Sequence, residues 1–355
     1  DFALTVQNND DSNYNTAVGY NAGGAVTTGT HNTLIGGLAG DAITTGIRNS
    51  LLGYNSGGLI TTGDSNTFVG KDSGAANTTA SSNTFIGERA GLANTTGDES
   101  VAVGQFSYAA NTTGADNVAI GRAALSVNTT ASNNVAIGRA ALGTNTTGTR
   151  NVAVGSLALD ANTTAADNTA IGASVLSANT VGFSNTGMGA YALAANTTGD
   201  NNTGLGQGAL YANTTADNNT AVGLNAMVAN TDGHSNTAVG AEAGDANTTG
   251  DYNVSLGMQA LTSDTTGSRS TAIGAAALFT QNFTGGTESY NTAVGFYAGV
   301  SVTTGIQNTV VGGLALDANT TASNNTALGY ATLSANTTAA NNTAVGHKAL
   351  IANTT

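Results

Sequence analysis

The chain of 355 residues contains no cysteine, no proline and no tryptophan, and only 8% of its residues are charged. Aromatic residues make up just 5%. So few bulky side chains cannot build a thick globular core, and the chain must instead stack thin layers. The formal charge of -13 reflects only eight Lys and Arg against twenty-one acidic residues, and no basic cluster is available to neutralise phosphates. Nucleic acid is therefore excluded as an expected partner. No apolar run approaches the length of a membrane span, and with Asp1 in first place no signal peptide is expected within these residues. The absence of cysteine fits an extracellular fibre, although a cytosolic protein can equally lack it. Because the chain starts and stops out of phase with its own repeat, it is expected to be a processed chain or a piece of a longer one.

Gly, Ala, Asn and Thr take the place of what is missing, and they do so in order. The stretch Asn117–Asn133, N-V-A-I-G-R-A-A-L-S-V-N-T-T-A-S-N, begins again at Asn134. With its glycine as position 0, the same glycine recurs every seventeen residues from Gly19 to Gly274, and after a four-residue insertion at Gly295, Gly312, Gly329 and Gly346. Twenty in-register copies of a short unit are the mark of a solenoid, and they override length as a guide to domain number. We expect one continuous all-β domain, a parallel β-solenoid (β-roll or β-helix) of about twenty 17-residue coils spanning residues 15–355. Residues 1–14 fit the register only if Phe2 replaces the glycine, with Val6 at +4 and Asn9 at +7, and are expected to form an atypical first coil or cap.

Position −4 is Asn in eighteen of twenty copies, Ser100 and Ser270 being the exceptions. Position −3 is β-branched or Ser, −2 is mostly Ala, and −1 is always apolar. This reads as a short strand running into a glycine turn, with Val18, Ile35 and Leu52 at −1 expected to face a shared interior. After the glycine, a small residue at +3, Leu at +4 in eleven copies, and Asn-Thr-Thr from +7 predict a second extended segment and a second turn. Helix is disfavoured by the density of Gly, Thr and Asn. Leu at +4 never coexists with an aliphatic residue at +7. The four aliphatic residues at +7, Val26, Ile43, Ile60 and Val302, each follow a Gly at +4. Such exclusion of bulk is expected of two side chains competing for one interior volume. The remaining Asn at +7 are then predicted to form an internal amide ladder.

The expected structural ladder includes Asn117, Asn134, Asn151 and Asn168 at −4 and Asn111, Asn128 and Asn145 at +7. Gly121, Gly138 and Gly155 mark its turns, and Ile120, Ile137 and Val154 are expected beside them in the interior. Charged residues such as Glu88, Asp116, Arg122, Arg139, Arg150, Asp160 and Asp245 fall at turn positions. The insertion lies between Leu278 and Tyr290 and is expected to lengthen one turn without disturbing the layers around it. Each layer offers few aliphatic side chains against the entropy of ordering its backbone. Asn and Thr hydrogen bonds, and association of several chains through the small residues at −2 and +3, are expected to supply the balance, with a threefold axis as the simplest closed arrangement.

The motif N-[TV]-A-[VI]-G is similar to the repeat in the head of trimeric autotransporter adhesins of the YadA type. The longer N-T-A-V-G-x-x-A-L-x-x-N-T-T-G-x-x-N resembles repeats of phage tail-fibre-like proteins, many of which end in a self-cleaving intramolecular chaperone. The resemblance runs from Asn15 to Thr355 and implies a left-handed, homotrimeric β-roll. The autotransporter unit is usually shorter, and neither a coiled-coil stalk nor a membrane anchor is recognisable here, which favours a fibre of phage or cell-surface type.

Chemical sites are sparse. His31, His234 and His347 stand far apart at turn positions, and the carboxylates are scattered singly, so neither catalysis, a metal nor a cofactor is expected. Asn-Thr-Thr matches the N-glycosylation acceptor at Asn77, Asn94, Asn162 and Asn336, but inward-facing Asn would be out of reach. The Thr column at +8 suggests ice binding as a lesser alternative. Aromatic residues at variable positions, among them Tyr20, Tyr54, Phe106, Tyr108, Tyr191, Tyr211, Phe296 and Tyr297, are candidates for carbohydrate stacking or for simple rim packing. The expected function is a non-enzymatic shaft or head of an extracellular attachment fibre on a cell surface or virion. Its expected partners are copies of itself and a cell-surface glycan or receptor, and the alternative is a purely structural filament or sheath.

Overall fold

The computed structural model describes residues 3–7 and 13–354. The chain divides into two compact units, Asp1–Val181 and Gly182–Thr355. Each is a parallel β-solenoid of seventeen-residue coils. Among the described residues the first holds ten three-residue strands, from β1 (Thr16–Val18) to β10 (Thr169–Ile171), and the second ten more, from β11 (Thr186–Met188) to β20 (Thr343–Val345). Within each unit every strand pairs in parallel with the equivalent residues of the next, as in Val118↔Val135, Ala119↔Ala136 and Ile120↔Ile137. The four-residue insertion leaves this register intact, with Thr271 opposite Thr292.

Only one strand forms per coil. The second extended segment expected after the glycine is instead a chain of tight turns. Ala124 N–H donates to Gly121 O and Asn128 N–H to Leu125 O, each at 3.2 Å, closing successive turns. The φ angles are 58° at Ala123 and 48° at Leu125, in the left-handed region that a branched side chain ordinarily avoids. Bonds to both neighbouring coils hold them there: Ala123 N–H reaches Gln105 O, and Leu125 N–H reaches Ala141 O, both at 3.0 Å. The repeat glycine is required for a different reason. At Gly121 φ is 129°, and a Cβ would lie 2.5 Å from Gly138 O, so each glycine lets the next coil approach its backbone.

The strand faces are reversed from the sequence expectation. Position −2 points into the core and −1 points out: Ala119 and Ala136 are fully buried, whereas Ile120 and Ile137 are each 37% exposed. Val154 is half-buried, and Val18, Ile35 and Leu52, expected inside, are exposed. Alternation along a strand puts −1 and −3 on one face and −2 on the other, but does not say which face is inside. Here +4 fills the interior from the opposite wall, leaving room at −2 for only a small side chain. The expectation that Ala at −2 and +3 contacts another chain fails for the same reason, because residues such as Ala119, Ala124, Ala136 and Ala141 are fully buried within their own coils.

The exclusion between +4 and +7 is steric. A Cβ on Gly40 would sit 2.7 Å from Ile43 Cδ1 and 2.9 Å from Leu51 Cδ1, and one on Gly57 would sit 2.7 Å from Ile60 Cδ1. Position −2 shares the same volume. Leu34, Leu51, Phe68 and Phe85 are the only Leu and Phe at −2, and each coil carries Gly at +4. At Gly91 a Cβ would meet Phe85 Cδ2 at 2.3 Å. In the second unit the coil of Ala238, Gly244 and Asn247 has bulk at none of the three positions. A cavity of about 10 Å³ opens there against Met227, Ser255 and Leu261.

The entry to the first unit is also offset. Leu4, not Val6, takes the role of a +4 residue: its N–H donates to Ala22 O at 3.1 Å, and its Cδ2 lies 3.0 Å from where a Gly23 Cβ would be. Val6 is 54% exposed. Phe2 and Asn9, which carried the remainder of the expected first-coil register, lie outside the described residues.

Candidate functional site

Two amide columns run through each unit. At +7, Asn111 Nδ2 donates to Asn94 Oδ1 at 2.7 Å, Asn128 to Asn111 at 3.0 Å, Asn145 to Asn128 at 3.0 Å and Asn162 to Asn145 at 2.9 Å. At −4, Asn134 N–H donates to Asn117 Oδ1 at 2.9 Å, Asn151 N–H to Asn134 at 2.9 Å and Asn168 N–H to Asn151 at 3.0 Å. Nδ2 of Asn134 reaches across the coil to Gly148 O at 2.9 Å. These side chains are fully buried or nearly so. The candidate acceptors Asn77, Asn94, Asn162 and Asn336 are equally buried, which closes them to a glycosyltransferase. Asn77 has no hydrogen-bond partner on either side-chain atom, an orphan at the place where the aliphatic +7 column ends at Ile60 and the amide ladder has yet to begin.

The two Ser exceptions at −4 accompany changes elsewhere in the core, a link the sequence reading missed. In the coil of Ser100 the absent Asn amide is replaced by Tyr108, whose hydroxyl donates to Gly114 O at 2.7 Å and accepts from Asn117 Nδ2 at 2.6 Å. Burial pushes the Tyr108 phenol up to about 12. Beside Ser270 the +7 ladder reads Asp264 and then Gln281. Asp264 Oδ1 accepts the N–H groups of Gly267 at 3.0 Å and Phe283 at 3.1 Å, while Oδ2 accepts Gln281 Nε2 at 2.7 Å. Gln281 Oε1 in turn accepts Asn291 Nδ2 at 2.8 Å. Burial holds the Asp264 carboxyl above the ordinary carboxylate range, with the hydrogen bonds from Gln281 and the backbone opposing it. The network ties the inserted turn to the core and has no opening to solvent.

The outer surface is divided among columns. Along the strand face, −1 presents Val, Ile, Leu or Met in every coil. Exposure in the first unit reaches 58% at Val18 and 47% at Leu52, and in the second 46% at Met188 and 65% at Val345. Thr, Val or Ser at −3 flanks this stripe. Thr at +8 spends its hydroxyl within the coil stack: Thr112 Oγ1 donates to Thr129 O at 3.1 Å, and Thr146 Oγ1 to Thr163 O at 3.0 Å. Charges remain on turns, where Arg150 forks onto Asp167 through Nε at 2.7 Å and Nη2 at 2.8 Å and holds that carboxyl below its usual range. Among the described residues no group of three His, Asp or Glu is placed to hold a metal ion. His31, His234 and His347 sit in separate turns; His234 Nδ1 accepts the N–H of Asp217 at 2.9 Å.

Phe106 is half-buried with Arg89 over its ring at 5.6 Å, and the other candidate aromatics divide between core and surface. Phe68, Phe85 and Tyr108 are core, with Phe68 stacked on Phe85 at 4.8 Å and 5°. Tyr20, Tyr54, Tyr191, Tyr211, Phe296, Tyr297 and Tyr330 are exposed. Comparison with known proteins returns no matching family model, no similar curated protein and no similar solved structure.

Proposed function

We propose that the chain is a non-catalytic structural and adhesive element, the shaft or head of an extracellular attachment fibre borne on a cell surface or virion. Its coils wind left-handed, and three copies associate about a common axis. The observation that supports this reading is the exposed aliphatic stripe at −1. Large apolar stripes on a soluble chain mark contact surfaces. This one repeats at the coil spacing of about 4.8 Å, so an identical stripe on another copy meets it residue for residue. Covering each aliphatic side chain contributes about 1.5 kcal/mol or more, repeated coil after coil. A threefold axis closes the assembly without leaving a free stripe. The resemblance to trimeric adhesin heads and tail fibres points to the same arrangement. The −1 residues replace the buried alanines as the contact between chains.

Attachment to a cell-surface glycan or receptor then arises from repetition along the fibre. Labelled chain applied to cells and to glycan surfaces tests this directly. Saturable adherence supports attachment, whereas end-to-end filaments in electron micrographs with no adherence identify the alternative, a purely structural filament or sheath. Ice binding has less support, because the +8 hydroxyls on which it rested are donated inside the coil. Thermal hysteresis in the purified chain would revive it.

A further inference from the structure

We infer that each unit carries a slot for a neutral pyranose ring on its +1 column, formed by Tyr20, Gly37 and Tyr54 in the first unit and by Phe296, Gly313 and Tyr330 in the second. The inference rests on the attachment reading and gives it a ligand class. Among the twenty +1 residues, glycine occurs only at Gly37 and Gly313, and Tyr or Phe only at the four positions one coil to either side of them, with His347 one coil beyond Tyr330. Neither glycine is there for its backbone, since both lie outside the left-handed region. Nor does local crowding demand glycine. A Cβ on Gly37 would find Tyr54 Cδ2 at 3.6 Å, and one on Gly313 would find Tyr330 Cδ2 at 3.7 Å, both ordinary contacts. The glycines therefore keep open the space farther out, between the rings.

The depth of that space follows from the stacking. On this column Tyr330 and His347 lie as stacked plates at 5.6 Å and 12°, while Phe296 packs against its neighbour Tyr297 at 4.3 Å and 47°. Omitting one plate sets the residues that carry the flanking rings two coils apart, about 9.6 Å at the inter-strand spacing. That gap is too tall for a flat aromatic guest, which would touch one wall only. A chair-shaped pyranose is thicker, and both of its faces can present C–H groups to an aromatic wall. Tyr20, Tyr54, Phe296 and Tyr330 are 67%, 55%, 59% and 50% exposed, so the walls are open to a ligand. At the rim of the first slot, Asn21 and Asn55 carry amides hydrogen-bonded to Asp41 and Asp72, and beside the second the Tyr297 ring packs against Phe296. With these carboxylates nearby and a net charge of -13, a neutral sugar is favoured over an acidic one.

The test fills the slots. Gln occupies +1 in other coils, at Gln105 and Gln207, so Gly37→Gln and Gly313→Gln suit the fold. The wild-type chain, titrated with neutral hexopyranose oligosaccharides selected on a glycan array, is expected to bind two per chain. Each single variant is expected to bind one, and the double variant to lose at least about tenfold in affinity with an unchanged thermal melt; Tyr54→Ala and Tyr330→Ala should weaken binding likewise. Equal binding by the double variant, or no neutral saccharide bound by the wild type, overturns the slots. If cells still retain the wild type and the double variant equally, attachment stands and only the slots fail. If the wild type adheres to nothing, both fail together.

Discussion

Within the first unit, the coils of Leu34–Ile60 and those of Ala119–Asn162 fill the same cross-section in different ways. The former place Leu at −2, Gly at +4 and Ile at +7, and bury hydrocarbon from two walls. The latter place Ala, Leu and Asn at these positions, trading one aliphatic side chain for a hydrogen-bonded amide column. Strand register and turns are the same in both, as in Leu34↔Leu51 and Ala119↔Ala136. The coil thus fixes a total volume and leaves its distribution among three side chains free, provided every polar group finds a partner. Asn77, beyond the last aliphatic +7 residue, violates that proviso.

Breaking the amide-type coils gives the largest expected effect. Leu142→Ala removes the only large buried apolar side chain of its layer and should cost about 3 kcal/mol, read from chemical denaturation. In the aliphatic coils the equivalent experiment is overfilling. Gly40→Leu retains a φ that Leu125 already adopts but collides with Ile43 and Leu51, and should cost about 2 kcal/mol. Adding Ile43→Ala and Leu51→Ala removes both colliding side chains without setting a lone amide among hydrocarbon neighbours, and should restore most of that loss. No recovery would mean that volume is not freely exchanged among these positions. At the seam, Asn77→Leu should stabilise by about 1 kcal/mol, because two buried orphan atoms are replaced by hydrocarbon of similar shape.

The smallest effect sharpens the comparison with the irregular ladder of the second unit. Asp264 has its carboxyl raised above 3.8 by burial, so its favourable contribution is complete below that value and is lost as pH rises through the raised one. Replacing Asp264→Asn together with Gln281→Asn restores the regular amide column. Its stability advantage over the wild type should be small in acid and grow towards neutral pH in thermal melts. An advantage independent of pH would contradict a strained buried carboxylate.

Period, parallel stacking, the glycine turns and the contest between Leu125-type and Ile43-type residues were legible in the sequence, because each is a statement about identical positions meeting. The strand's orientation was not. Val-Ala-Ile alternates equally well either way, and the assignment of Ile120, Ile137 and Val154 to the interior followed hydrophobicity alone. The correlation that decides it, Leu or Phe at −2 only with Gly at +4, was present but unread, as was the pairing of Ser100 with Tyr108. Left-handed φ at Leu125 and the turns that replace a second strand had no local signal, since they arise from bonds to coils seventeen residues away. For the candidate slots, Tyr20, Tyr54 and Phe296 were noted as aromatic, but their relation to Gly37 and Gly313 emerges only when coils are laid on one another.

The most direct test of the account is the mass of the wild-type chain in solution, because an outward aliphatic stripe running through coil after coil calls for a covering copy. Sedimentation equilibrium should give three times the 34.6 kDa chain mass, and Ile120→Asp with Ile137→Asp should reduce it while the coils stay folded. A stable 34.6 kDa species at all concentrations, with the wild-type stripe intact, would contradict it.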